Sequence, residues 1–270
     1  IVYDPVAHWI WGTGGWLKNM GVLDFAGGIV VHITSGISAL AAALVIGKRK
    51  GYLHEPFYPH NLPMTVLGAG LLWFGWFGFN AGSALSSGTL SAMTFVVTHI
   101  SAVSATLIWV IIEWLHRGKP TMFGAATGSI AGLATITPAS GFVGPMSALC
   151  IGLAAGAVCY IALNMKNRFG YDDSLDAFGV HGIGGALGTI ATGLFAQKIL
   201  NPGGADGLLF GSSKMLISQI IAVSVTAIYS FVVTVIILKV IDWTIGLRVD
   251  EEAEVEGLDI SQHGESGYSS

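Results

Sequence analysis

Two histidines, His32 and His181, lie within apolar segments that are each long enough to cross a lipid bilayer. Each follows an aspartate by eight residues, Asp24 in one case and Asp173 in the other. A single histidine on an apolar helix is usually a packing residue, but ionisable side chains are costly in hydrocarbon and often mark function. Two neutral imidazoles can share one N–H between facing nitrogens, which leaves the outer nitrogens to receive a neutral solute or pass a proton. The pair is therefore the first candidate site.

Metal binding and enzymatic chemistry are the competing interpretations of these residues. Two histidines supply too few ligands for zinc, and no cysteine or carboxylate lies at a ligand-like spacing beside either of them. The serine and threonine residues lack a nearby base that would activate one of them as a nucleophile. We therefore predict that the protein is not an enzyme and that it uses neither a metal nor a cofactor.

A second group of candidate residues is aromatic and lies in segment 71–83, which reads LLWFGWFGFNAGS. Such a run is usually helix packing or an interfacial belt. Its glycines allow close backbone approach, and Asn80 and Ser83 add polar groups near the outer end of the segment, which favours a lined vestibule. Trp11 can offer a ring face to a small cation, an attraction of about 0.5 to 2 kcal/mol. Ser83 can accept one hydrogen bond from that cation.

The composition indicates that membrane helices position these groups. Hydrophobic residues make up 53% of the chain and charged residues 10%, and the mean hydropathy is +0.69. We therefore predict an all-α polytopic membrane protein that forms a helical bundle, with residues 1–11 as part of a further span. The seven complete spans are predicted at 24–47, 63–85, 91–115, 122–139, 144–165, 175–197 and 214–246.

Basic residues between the predicted spans give the orientation. They cluster at 48–50, 117–119, 166–168 and 239–248, on alternate crossings, whereas the opposite loops carry only Lys18, Lys198 and Lys214. Because basic loops stay in the cytoplasm, the C-terminus is predicted to be cytoplasmic. The chain then divides into a transmembrane domain, 1–248, and an acidic cytoplasmic tail, 249–270, that by composition is a solvated segment.

The two histidine segments form a faint internal repeat. His32 is followed by ITSG and His181 by GIGG, and each has its aspartate eight residues earlier. An odd number of predicted crossings separates the two segments, so they start on opposite sides of the membrane. This arrangement is typical of inverted-topology repeats, in which the substrate path lies near the midplane.

Four separated motifs resemble the ammonium transporter family (Amt, Mep and Rh proteins), and its Amt branch most. They are DFAGG at 24–28 leading to His32, GWFGFNAGS at 75–83, FGVHG at 178–182, and LD through HGE at 258–265. The resemblance covers essentially the whole chain, which is similar to the C-terminal two thirds of the family's eleven-helix subunit. The chain starts within what would be the fourth helix, so we expect that it does not close a pore alone.

The resemblance also implies roles for individual residues. His32 and His181 match the family's pore pair, and Trp11 and Ser83 match its outer ammonium-recruiting site. Phe79 and Trp76 match aromatic residues at the pore entrance. Asp24 matches an acidic residue that supports recruitment, although a helix N-terminal cap is an equally good interpretation of an aspartate before Phe25. His99 matches no pore histidine and is interpreted as a packing residue.

The function implied by the resemblance is transport of ammonium or ammonia across the cell membrane by a homotrimer with one pore in each subunit. Moving bare ammonium through an apolar pore costs on the order of tens of kcal/mol, whereas neutral ammonia moves cheaply. We therefore expect deprotonation at the entrance, conduction past the histidines and net charge transfer. An electroneutral ammonia channel, a sensor without transport and the use of methylammonium stay open. His263 and Glu265 are candidates for regulation by a PII-type protein, and no nucleic-acid partner is expected.

Overall fold

The computed structural model describes residues 1–268, which form helices joined by turns, with no strand among them. Six helical segments within this range are long and apolar enough to cross a membrane, and in two of them, Gly28–Ile46 and Phe178–Phe195, a π turn continues directly into an α-helix. The predicted all-α polytopic membrane fold is therefore confirmed. The elements are α1 Tyr3–Trp11, α2 Trp16–Asn19, π1 Gly28–Ile33, α3 Thr34–Ile46, α4 Leu62–Gly82, α5 Thr89–Arg117, α6 Met122–Ile136, α7 Pro145–Phe169, π2 Phe178–Gly182, α8 Ile183–Phe195, a 3₁₀ turn Leu208–Phe210, α9 Ser213–Thr244, α10 Glu251–Glu256 and π3 Asp259–His263.

One predicted span, 122–139, is shorter than expected. Helix α6 has 15 residues, so it rises about 22 Å, less than the roughly 30 Å of a hydrocarbon core. It begins at Thr121, whose hydroxyl accepts from the N–H of Gly124, and it ends before Pro138, which has no N–H to continue the helix. Residues 137–142 follow as buried turns. The sequence overestimated this span because a buried apolar turn has the hydropathy of a helix.

Helices α5, α6 and α7 pack against one another at a point that only glycine can occupy. A Cβ on Gly132 of α6 would meet the carbonyl oxygen of Ser101 in α5 at 2.6 Å, and a Cβ on Gly152 of α7 would clash with the same oxygen. The hydroxyl of Ser101 also donates to the carbonyl of Gly132 at 2.9 Å. Small residues thus allow close helix approach where lipid supplies no hydrophobic driving force.

The two histidine segments have the same local structure, as the predicted repeat requires. A π turn carries each histidine, π1 for His32 and π2 for His181, and a 13-residue α-helix follows each turn. The π1 turn packs on α8, and the π2 turn packs on α3. Single π turns are uncommon and are often found at functional sites. Nothing in the residue pattern indicated them in advance.

The acidic tail is docked on the basic segment that follows α3, rather than solvated along its length. The carboxylate of Glu254 accepts from the N–H of Lys50 at 2.9 Å and from the guanidinium of Arg248. Further along, the side-chain amide of Asn61 donates to the hydroxyl of Tyr268 at 2.8 Å. Composition alone did not predict this, because the backbone N–H that Glu254 binds belongs to Lys50, 204 residues away in sequence.

A half-buried ion pair links the segment after α3 to the segment before π2. Arg49 binds Asp172 through two guanidinium nitrogens, at 2.8 and 2.7 Å, and through its own backbone N–H at 2.9 Å. The side chain of Asp172 is 1% exposed. Because Asp172 precedes Asp173, which caps π2, this pair fixes one end of the turn that carries His181.

We expect Asp172→Asn to lower the thermal stability at neutral pH and to match the native protein in acid. Burial favours the neutral acid, but hydrogen bonds from Arg49 outweigh it and hold the pKa of Asp172 below its ordinary value of 3.8. A lowered folded-state pKa gives stability that is complete above the unfolded-state value and is lost as the pH falls through the folded-state value. Thermal unfolding in detergent from neutral pH to below that value measures the difference between the two proteins.

The matched control is Asp242→Asn, which removes an exposed pair with Lys239 whose atoms are 3.9 Å apart. Exposed pairs contribute little, so this variant should resemble the native protein at every pH. A stability gap for Asp172→Asn that did not shrink in acid would contradict the assignment of the effect to the ion pair.

Candidate functional site

The two predicted histidines face each other across the contact between the repeats. Their Nδ1 atoms are 3.2 Å apart, and their ring centroids are 5.2 Å apart with planes inclined by 26°. At this distance one Nδ1 donates its proton and the other accepts it. A proton shared in this way leaves the Nε2 atom of each ring free for another contact.

The surroundings of the two imidazoles differ. His32 is 3% exposed, and its Nε2 is buried without a hydrogen-bond partner among the residues the structure describes. His181 is half-buried and borders a cavity of about 1580 Å³, whose wall also includes Lys166, Arg117 and Glu113. A buried polar atom without a partner is unusual in a folded protein. This nitrogen is therefore the clearest position for a small solute at the site.

Trp76 forms a wall against both histidines. Its ring stacks on His32 at 5.4 Å and 29°, and it lies parallel to the ring of His181 at 6.4 Å and 3°. The indole N–H donates to the hydroxyl of Thr137 at 3.0 Å, so the ring is held in place. The resemblance placed Trp76 at the entrance, but in this chain it is 8% exposed and lies beside the histidine pair.

Phe79 lies near the C-terminal end of α4, and Ser83 is the first residue after that helix. The ring of Phe79 is 6.2 Å from that of His32 and 5.9 Å from that of Trp76, and the side chain is 39% exposed. The hydroxyl of Ser83 donates to the carbonyl of Phe79 at 2.8 Å. Because its proton is used in this way, the Ser83 oxygen can act as an acceptor.

Trp11 is joined to the turn that carries His32. Its indole N–H donates to the carbonyl of Asp24 at 2.8 Å, while its side chain is 38% exposed. A Cβ on Gly27 would lie 3.6 Å from the Trp11 ring, so the ring covers the start of π1. Trp11 and Asp24 are thus joined to π1, which carries His32, whereas Phe79 and Ser83 belong to the C-terminal end of α4.

Asp24 caps π1, which was one of its two interpretations. Its carboxylate accepts four backbone N–H groups, from Gly27 at 2.9 Å, Gly28 at 2.7 Å, Ile29 at 2.8 Å and Val30 at 3.1 Å. The residue is 6% exposed. Since these four bonds engage both oxygens, the carboxylate serves the N-terminal end of the turn.

Asp173 has the corresponding position in the second repeat and makes fewer bonds. Its carboxylate accepts from the N–H groups of Ala177 at 3.1 Å and Phe178 at 2.8 Å. The sequence pointed to this aspartate only through its spacing from His181. The two caps show why an aspartate comes before each histidine: it satisfies the free N–H groups at the start of a turn.

Other predicted or overlooked residues lie away from the histidine pair. His99 contacts the rings of Trp73 and Phe77 at 5.4 and 6.0 Å, which agrees with a packing role. His263 and Glu265 are exposed on the tail. No group of three metal-ligating side chains is found in residues 1–268. None of these residues adds a group to the histidine site.

Comparison with known proteins gives consistent matches along the chain. The model of the Ammonium Transporter Family matches residues 1–268. The Ammonium transporter of Bacillus subtilis (strain 168) is 50% identical over 269 residues, which are 99% of this chain and 66% of that protein. Ammonium transporter Amt1 of Archaeoglobus fulgidus is 52% identical over 267 residues, which are 99% of this chain and 67% of that protein.

Solved structures agree with this picture. The crystal structure of Saccharomyces cerevisiae Mep2 has a TM-score of 0.87 and 36% identity, and the match covers 93% of this chain and 58% of that one. The structure of a protein named Sensor Amt Protein also has a TM-score of 0.87, with 33% identity over 97% of this chain and 67% of its own. The chain thus spans about two thirds of the length of the curated relatives it matches.

Proposed function

The chain belongs to the ammonium transporter family, and from this premise we propose that it forms part of a protein that transports ammonium or ammonia across the cell membrane. Six apolar helices and the family together make the chain a multi-pass membrane protein. We place the C-terminus in the cytoplasm, because the basic loops lie on the same predicted side as the tail. A homotrimer with one pore in each subunit is proposed from the family resemblance.

The observation that carries this proposal is the histidine pair, with its shared Nδ1 contact and the buried, unpartnered Nε2 of His32. Such a nitrogen can bind ammonia, which is both a donor and an acceptor of hydrogen bonds. It disfavours a strongly hydrated ion, because desolvating a charge in apolar surroundings costs on the order of tens of kcal/mol. Ammonium is therefore deprotonated before its nitrogen passes the pair.

The released proton crosses separately in this proposal, so that net charge moves. His32 is enclosed by Trp76 and Phe79, whereas His181 borders the large cavity. A proton accepted at Nε2 of His32 can move the shared Nδ1 proton onto His181, and the proton on Nε2 of His181 then leaves into the cavity that this ring borders. An imidazole can accept a proton at one ring nitrogen while it gives up a proton from the other, which suits a relay.

The outer recruiting site is proposed to consist of Trp11, Ser83 and Phe79, with Asp24 as its support. The exposed Trp11 and Phe79 rings can face a small cation, and the oxygen of Ser83 can accept one of its hydrogen bonds. Asp24 acts by holding Trp11 through its carbonyl and π1 through its carboxylate.

We expect Trp11→Ala to weaken ammonium binding and to leave the maximal transport rate largely intact. Losing a cation–π contact of about 0.5 to 2 kcal/mol raises the half-saturating concentration about 2- to 30-fold. Trp11→Phe keeps a ring but loses the N–H that binds the Asp24 carbonyl, so it should lie nearer the native value. Initial rates over a range of ammonium concentrations separate the two parameters. An unchanged half-saturation in Trp11→Ala would remove this residue from the recruiting site.

Two other functions are kept as candidates. An electroneutral ammonia channel would use the same pair without moving the proton. A sensor role has support from the structural relative that is named Sensor Amt Protein. Transport of methylammonium depends on the width of the outer site. The three functions differ in whether a flux occurs and whether charge accompanies it.

The experiment that tests the proposal uses the complete protein, including any residues that the gene encodes outside this chain, in proteoliposomes on a supported membrane. An ammonium pulse is applied, and current and internal pH are recorded together. A saturable current supports net charge transport. Rapid internal alkalinisation without current favours neutral ammonia conduction, and binding without either signal favours the sensor.

Regulation through the tail is a further part of the proposal. His263 and Glu265 are exposed, so both are accessible to a PII-type protein at the cytoplasmic face. Glu254 holds the tail to the backbone of Lys50, one residue from the Arg49–Asp172 pair. A partner that pulls on the tail can therefore act on the segment next to π2.

A further inference from the structure

Two glycines have the same position in the two repeats. Gly36 lies four residues after His32, in α3, and Gly185 lies four residues after His181, in α8. Both are buried. One helical turn separates each glycine from its own histidine. Each glycine therefore lies on the helix face that carries the histidine, at the contact between the repeats.

The space at Gly36 is closed by the turn that carries the other histidine. A Cβ on Gly36 would clash with the backbone N and Cα of Gly182, and it would lie 2.9 Å from the carbonyl carbon of His181. All three atoms are backbone atoms of π2. No side-chain rotation can relieve the clash, so π2 itself would have to move.

The space at Gly185 is closed in the reciprocal way. A Cβ there would lie 2.8 Å from the carbonyl oxygen of Gly28, 2.8 Å from Cβ of His32 and 3.2 Å from the backbone N of Ile33. These atoms belong to π1, including the histidine that it carries. A methyl group at Gly185 would therefore push His32 away from its partner.

We propose that Gly36 and Gly185 are a reciprocal pair of positioning residues that set the distance between the two imidazoles. Each π turn is fixed at its start by an aspartate cap and rests against the glycine of the opposite repeat. The Nδ1 atoms are 3.2 Å apart, close to the upper limit of a good hydrogen bond, so a displacement of roughly 0.5 Å breaks the contact. The role in transport rests on the proposed function above, whereas the effect on the histidine contact does not.

The experiment compares Gly36→Ala and Gly185→Ala with Gly193→Ala as a matched packing control. Gly193 is also a buried glycine of α8, but a Cβ there would meet Cα of Leu216 at 2.9 Å, on α9 and away from both histidines. The complete protein is labelled with ¹⁵N-histidine, and the N–H···N coupling between the two Nδ1 atoms is measured by NMR. Thermal stability and the transport rate are measured on the same preparations.

We expect Gly36→Ala and Gly185→Ala to lose the Nδ1–Nδ1 coupling, while Gly193→Ala loses stability and keeps the coupling. Gly36→Ala should show the larger effect, because its nearest contacts are closer. Transport should fall on the order of a hundredfold in both, the loss typical of a displacement of about 1 Å at a reacting group. If Gly36→Ala does not fold, Gly185→Ala, with less crowding, still provides the test.

The idea is overturned if both variants keep the coupling, or if Gly193→Ala loses it equally. Loss of the coupling with transport at the native rate would overturn the role of these glycines in transport, but not their effect on the histidine distance. The two failures are distinguishable: a native protein that shows no transport refutes the proposed function, while the NMR comparison still decides whether these glycines set the histidine distance.

Discussion

His32→Ala is expected to abolish ammonium-dependent current while leaving a folded, membrane-inserted protein. The substitution removes the Nδ1 that contacts His181 at 3.2 Å and the Nε2 that has no partner in residues 1–268. The solute then loses its hydrogen-bonding group and the proton loses its relay. The measurement is the peak current after an ammonium pulse in proteoliposomes, together with the amount of folded protein. His181→Ala should give the same loss of current.

His99→Ala is the matched control for this experiment. His99 also lies in a membrane-spanning helix, but it contacts Trp73 and Phe77 instead of the histidine pair. Its removal should leave the current close to the native value. A native rate and selectivity in His32→Ala would falsify the role of the pair, and an equal loss of current in His99→Ala would show that the loss is not specific to the pair.

Asp24→Ala is expected to destabilise the protein more than any other single carboxylate substitution in the two repeats. Four backbone N–H groups lose their acceptor in a buried position. Each unsatisfied buried group costs about 1 to 3 kcal/mol, so the total is at least about 4 kcal/mol unless water enters. Thermal unfolding in detergent measures the loss, and transport per folded molecule shows whether π1 still holds His32.

Two other aspartate variants serve as comparisons for the stability loss in Asp24→Ala. Asp173→Ala removes the acceptor of two N–H groups, so its cost should be about half. Asp250→Ala removes an exposed cap of α10 that accepts only from the Ala253 N–H, and it should cost about 1 kcal/mol or less. If the loss of stability in the three variants did not increase with the number of backbone N–H groups that lose their acceptor, hydrogen bonding would not be the main role of Asp24.

Both predictions concern groups whose residue types were informative before the fold was known. An imidazole is costly in an apolar segment and therefore indicates a function, and an aspartate before such a segment suggests a helix cap. The choice between a cap and an ion contact at Asp24 could not be made from spacing. It depended on the backbone path of Gly27 and Gly28, which brings their N–H groups to the carboxylate.

The extents of the helices were also only partly predictable from the sequence. The long spans were predictable because a lipid-exposed helix needs about 20 apolar residues to satisfy its backbone in hydrocarbon. Helix α6 was overestimated because it lies inside the bundle, where a short helix and buried turns meet the same hydropathy criterion. The docked tail was missed because the Glu254 carboxylate finds its partner at Lys50, 204 residues away.

Composition, periodicity and side-chain chemistry along the chain were enough to predict the membrane class, the helical fold, the repeat and a set of candidate site residues. Tertiary structure decided which atoms of those residues meet. The imidazoles lie 149 residues apart in sequence, and their contact depends on two π turns, on Trp76 beside them and on Gly36 and Gly185 against the opposite turns. Helix rotation and separation result from packing between distant segments, so local sequence cannot specify a contact of this kind.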